Sequence, residues 1–142
     1  MKICRALATL VAAGMLAASV AASPSALADT VKVVLSGDQE TPPVKTTASG
    51  SGTITVNPDK TISGNIATTG VDATMAHIHM APQGKPGPVI IPLQKNGQYG
   101  WSVPAGAKLS DEQYQAFKSG NLYVNVHSAA HKDGEIRGQL TP

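Results

Sequence analysis

The sequence predicts an all-β domain, a Greek-key β-sandwich or flattened barrel with one short crossover helix. Three observations carry that prediction. Apolar residues recur with a period of two along most of the chain, the pattern of half-buried strands. Clusters of turn-forming residues separate these runs at short intervals. A single stretch, LSDEQYQAFKSG, carries helix signals, and it lies between two strand patterns.

The first 28 residues are read as a secretory signal peptide, leaving residues 29–142 as one domain. Lys2 and Arg5 form a short basic start, Ala6 to Val20 is apolar and uncharged, and Ala26-Leu27-Ala28 fits the small-x-small rule for cleavage before Asp29. The apolar run is short for a membrane span and ends in Ser23-Pro24-Ser25, so no membrane insertion is expected after cleavage. The expected location is secreted or periplasmic. The signal holds two of the eleven basic residues and none of the nine acidic ones, so the formal charge of the remainder is zero. That balance gives no basic footprint for nucleic acid or an anionic membrane. Beyond Cys4 there is no cysteine, so the domain folds without a disulfide.

Along the domain, Val31, Val33 and Leu35 alternate with Lys32, Val34 and Ser36 as a first strand. Ala48, Gly50, Gly52, Ile54 and Val56 then share one face, Asn57-Pro58-Asp59-Lys60 turns the chain, and Ile62, Gly64 and Ile66 return as a hairpin. Met75 to Met80 is a strand with Ala76, Ile78 and Met80 on one side and Met75, His77 and His79 on the other. A loop rich in glycine and proline follows at 83–88. Val89–Leu93 and Gln98–Val103 are expected to pair around Asn96-Gly97. The helix has Ser110 as N-cap, Gln113 completing a capping box, Asp111 and Glu112 at the positive end of the dipole, a Leu109/Tyr114 staple and Gly120 as the stop. In the late strand Leu122, Val124 and Val126 oppose Tyr123, Asn125 and His127. Asp133-Gly134 turns the chain into a last strand that alternates Ile136, Gly138 and Leu140 with Glu135, Arg137 and Gln139.

The chemistry is concentrated in the histidines. There are four, and they fall in two pairs, His77 with His79 and His127 with His131. Neutral imidazole is a common ligand for zinc and copper. On a strand, positions i and i+2 face the same way, with Cα atoms roughly 6.5–7 Å apart, so His77 and His79 can converge on one ion. The apolar residues of both histidine strands lie on the opposite side, so these imidazoles are not core filler. With no carboxylate or cysteine directly beside any of the four histidines in sequence, the cluster is nitrogen-rich, which suits copper or zinc and disfavours calcium and magnesium. Met75 shares the His77 face and offers a thioether, although an ordinary half-buried methionine is the simpler reading. The competing account has the histidines hydrogen-bonding across strands or capping loops, with Asn125 or Glu135 as partners. Glu135 and Arg137 face outward and are read as forming a salt bridge or holding loop carbonyls. The sequence has no Gly-x-Ser-x-Gly elbow and no serine with an evident histidine–carboxylate pair, so nucleophilic catalysis lacks support.

At three landmarks the chain resembles a CHRD domain, the module named after repeats in chordin. They are LSGDQETPPVKTTASGSG, AHIHMAPQGKPGPVIIPL and GNLYVNVHSAAHKDGEIRGQL, and the resemblance covers nearly all of residues 29–142. The family's usual glycine after the second histidine is Met80 here. The resemblance implies a single-domain bacterial secreted protein with a fold similar to the Greek-key barrel of copper–zinc superoxide dismutase, where a His-x-His strand also supplies copper ligands. In chordin, modules of this type belong to an extracellular protein that binds growth factors. The sequence therefore supports a metal-binding protein, with copper before zinc held by His77, His79, His127 and His131, in metal buffering, delivery or tolerance. The alternative is a metal-free extracellular module that binds a protein or glycan. A dismutase-like redox enzyme ranks third, because it needs an open coordination position and a channel.

Overall fold

A computed structural model describes residues 25–142. The basic start and apolar run from which a signal peptide is expected lie outside the described residues. Among those described, no helix is long and apolar enough to cross a membrane.

The fold is all-β. Nine antiparallel strands form one sheet: β1 (Asp29–Ser36), β2 (Ser49–Val56), β3 (Ile62–Thr69), β4 (Ala73–Met80), β5 (Val89–Pro92), β6 (Gln94–Asn96), β7 (Gly100–Ser102), β8 (Leu122–Ser128) and β9 (Ile136–Leu140). Their order is β5-β4-β8-β9-β1-β2-β3-β7-β6. β5 and β6 stand at the two ends of that order, yet only Leu93 separates them in sequence. Two residue steps span at most about 7 Å, so the chain itself draws the two edges together. Leu93 N also donates to Ala76 O at 2.9 Å. The result is a nearly closed, barrel-like sheet with little free edge.

The period-two pattern sets the interior. Val31, Val33 and Leu35 of β1, Ile54 and Val56 of β2, Ile62 and Ile66 of β3, and Ala76 and Ile78 of β4 are all buried, whereas Val34 on the opposite parity is exposed. β2 and β3 pair in full register from Val56↔Ile62 to Ser49↔Thr69. The 94–103 region departs from expectation. Val89–Pro92 pairs with β4, and Gln94–Asn96 is the strand that turns back on β7. Asn96-Gly97 does mark a hairpin, but closure of the barrel claims the first strand for the other edge.

The helix α1 (Asp111–Lys118) forms where its caps place it. Ser110 Oγ accepts from Gln113 N at 3.1 Å and Gln113 Oε1 accepts from Ser110 N at 2.9 Å, which completes the capping box. At the other end Gly120 adopts φ +73°, with Asn121 N donating to Ala116 O and Gly120 N to Phe117 O. These two bonds are a Schellman closure, which requires the left-handed residue that glycine supplies. Phe117 carries the helix into the core.

All seven residues of β8 are buried. Leu122, Val124 and Val126 face the core. Tyr123, Asn125 and His127 face outward but are covered by the segments around Glu40, Pro82–Gly87 and Lys132–Asp133. That covered outer face holds the chemistry.

Candidate metal centre

β4 and β8 are neighbours in antiparallel register, with Met75 opposite His127, His77 opposite Asn125 and His79 opposite Tyr123. His77 and His127 are thus diagonal neighbours on one face, and His77 and His79 share it by parity. One donor atom from each of His77, His79 and His127 lies within 4.8 Å of the other two, so the three imidazoles could hold a metal ion.

Backbone carbonyls fix two of the rings. His127 Nδ1 lies 2.7 Å from Lys132 O, and His79 Nδ1 lies 2.9 Å from Gly87 O. A carbonyl only accepts, so both Nδ1 atoms carry a proton, and Nε2 is the nitrogen through which either ring could bind a metal. His77 Nδ1 is 3.0 Å from His127 Nε2. Because His127 Nε2 is an acceptor, His77 Nδ1 supplies the proton between them. Two nitrogens each bound about 2.0 Å from one tetrahedral ion lie about 3.3 Å apart, close to the separation already present. His77 and His127 fit such an ion, provided that it replaces the shared proton, and the third donor, on His79, lies within 4.8 Å of both.

His79 has a second partner, Asn125, whose Oδ1 lies 3.1 Å from His79 Nε2. Asn125 Nδ2 donates in turn to Glu40 Oε1 at 3.0 Å. In this orientation His79 donates through both nitrogens and is a cation. Turning the amide over lets Asn125 Nδ2 donate to a neutral His79 while a protonated Glu40 donates to Oδ1. Burial favours the neutral pattern at both ends. It pushes His79 below the ordinary imidazole value, helped by the charges of His127 and Arg137 and opposed by the bonds to Gly87 and Asn125. It pushes Glu40 above the ordinary carboxyl value, against the bond from Asn125 and the charges of Arg137 and His127. His77 is also lowered, first by burial and then by repulsion from His127 and His79.

The surround is closely built. The His79 ring stacks on Tyr123, with centroids 4.8 Å apart and planes 6° from parallel, and the Arg137 guanidinium lies 3.5 Å from the Tyr123 ring centroid. Arg137 donates to Lys85 O and Pro82 O, so it holds the covering loop by its carbonyls, as the sequence suggested. Gly134 has φ +128°, and a Cβ there would lie 2.1 Å from Asn125 Nδ2 and 2.5 Å from Glu40 Oε1. Only glycine leaves room for the Asn125–Glu40 pair. A cleft of about 440 Å³ opens beside the cluster and includes His79, His127, Asn125 and Glu40 in its lining.

The fourth histidine is elsewhere. His131 lies in the β8–β9 turn, where its backbone exchanges hydrogen bonds with Ser128 and its N–H also meets Ser128 Oγ at 3.2 Å. It lines an adjoining cavity of about 250 Å³, not the three-histidine cluster. Glu135 accepts from Thr46 Oγ1 at 2.6 Å, and the ring nitrogens of the cluster have other partners. The cross-strand partner expected for a metal-free histidine, Asn125, is present. Sequence reasoning missed Glu40, whose one available signal was its place just before Thr41-Pro42-Pro43 in the first landmark.

A family model for the CHRD domain matches residues 31–140. The chain belongs to the CHRD family. No curated protein and no solved structure matches it. A shared fold alone does not carry a shared reaction, so the chemistry of this CHRD domain rests on its own side chains.

Proposed function

We propose that this CHRD domain is the metal-binding part of an exported protein, taking up one transition-metal ion, copper before zinc, through His77, His79 and His127. Buffering, delivery or tolerance of that metal is the role that follows. One observation carries the reading: three imidazole nitrogens lie within 4.8 Å of one another while backbone carbonyls hold two of the rings by their other nitrogen. Imidazole donors without a carboxylate or thiolate suit copper and zinc over harder ions.

One observation favours a second reading. Each of the three imidazoles already has a hydrogen-bond partner within the protein. A metal-free module that binds an extracellular protein or glycan would need no more. Calorimetric titration with copper and zinc separates the two. The metal reading expects one equivalent of tight binding. His77→Ala, His79→Ala and His127→Ala should each weaken it by roughly 10–100-fold or more, the scale seen even for groups that only support a ligand. His131→Ala should leave it nearly unchanged. Weak binding that is indifferent to all four substitutions would overturn the metal reading and leave the interaction module.

A further inference from the structure

Met75 is one of several large apolar residues left exposed, with Val34, Val89 and Tyr99, and the one that stands beside the histidines. It is 49 % exposed and does not pack against the hydrophobic core, whereas Met80 on the same strand does. The ordinary role of a half-buried methionine, filling a gap between core side chains, is therefore not the one it has. Its position is specific. Met75 stands directly opposite His127 across the β4–β8 pair and shares the face of His77 by parity. Side chains opposite one another in an antiparallel pair start about 4.5–5.5 Å apart at Cβ, which puts a flexible thioether within reach of the same point as the imidazoles. The β4–β8 ladder also shifts register between Ala73 and Met75. Such irregularities recur next to functional sites, where they re-aim a side chain.

We infer that Met75 is a fourth donor to the ion held by His77, His79 and His127, and that it makes the site selective for Cu(I). This rests on the metal reading above. A thioether is a soft ligand that favours Cu(I) over Zn(II). The resulting set of three neutral imidazoles and one neutral sulfur carries no charge, so it suits a monovalent ion better than a divalent one. The placement suits capture as well: Met75 is exposed, His77 is half-buried and His79 is buried, so donors run from solvent to interior along one strand face.

The test is Met75→Leu, which keeps the side-chain volume at an exposed position and should leave the unfolding midpoint unchanged. Cu(I) affinity is measured anaerobically by competition with bicinchoninate, and Zn(II) affinity by competition with a chromophoric chelator. The expected result is a loss of Cu(I) affinity of about 10-fold or more with Zn(II) affinity held within about twofold. Copper-edge X-ray absorption should show a sulfur neighbour in the wild type that disappears in the variant. Equal Cu(I) affinity in the two proteins, or a sulfur neighbour that persists in Met75→Leu, would overturn the assignment of Met75 while leaving the three-histidine site intact. A wild type that binds neither ion would overturn the metal reading itself.

Discussion

His77 and His127 share one proton, with Nδ1 of the first 3.0 Å from Nε2 of the second. The carbonyl of Lys132 determines which ring gives it, because it holds the His127 proton on Nδ1. A proton placed on His127 Nε2 would break this bond, whereas one on His77 Nε2 would leave it intact. Burial disfavours charge on His77 and His79, and the behaviour of these two rings with pH follows from that.

Burial first, and then mutual repulsion, hold His77 below the ordinary imidazole value of about 6.5, and burial is also the leading cause for His79. The unfolded chain takes up these protons sooner than the folded one. The stability contributed by the two groups is complete above about pH 6.5 and is lost as pH falls from there through their folded values. Proton NMR of the metal-free domain should show the His77 and His79 rings titrating below 6.5. Denaturation midpoints should decline over the same interval. Rings that titrate above 6.5 would contradict the neutral cluster.

Glu40→Gln tests the row Glu40–Asn125–His79. The Glu40 carboxyl is raised because burial outweighs its hydrogen bond from Asn125 and the nearby charges of Arg137 and His127. A raised carboxyl favours the folded state while protonated, and that advantage is lost as pH rises through its folded value. Glutamine imitates the protonated form, since its amide can donate to Asn125 Oδ1 and fix the pattern that keeps His79 neutral. The variant should therefore be at least as stable as the wild type at pH 7, with the difference shrinking or reversing by pH 4. Chemical denaturation at both values measures it. A wild type more stable at pH 7 would mean that the ionised carboxylate is the stabilising form.

Local patterns made much of this molecule legible before its structure. The parity of Val31, Val33 and Leu35, the 57–60 turn and the Ser110/Gln113 box depend on neighbours within a few residues, and all appear as read. The convergence of His77, His79 and His127 was legible as far as strand parity could take it. The remaining features depend on distant partners. Glu40 meets Asn125 across 85 positions, and no local pattern marks it. Val89–Pro92 pairs with β4 because the barrel has to close, which the Asn96-Gly97 signal cannot show. His131 is carried out of the cluster by a turn whose hydrogen bonds to Ser128 are short-range but not encoded in the His-x-x-x-His spacing.

Val126→Asp tests the parity on which the whole site depends. Val126 is fully buried in the core, one residue from Asn125 and His127 on the covered outer face. Successive residues of a strand point to opposite sides, so these two faces are assigned together or not at all. A carboxylate at 126 would be placed among Val124, Ile136 and their apolar neighbours with no partner, at a cost on the order of 3–5 kcal/mol. Urea denaturation of the metal-free domain measures that loss without depending on any ligand. A loss below about 1 kcal/mol is the range of an ordinary surface position, and it would mean that Val126 faces out and His127 faces in. The three imidazoles would then not share a face, and the metal centre would fail together with the fold assignment.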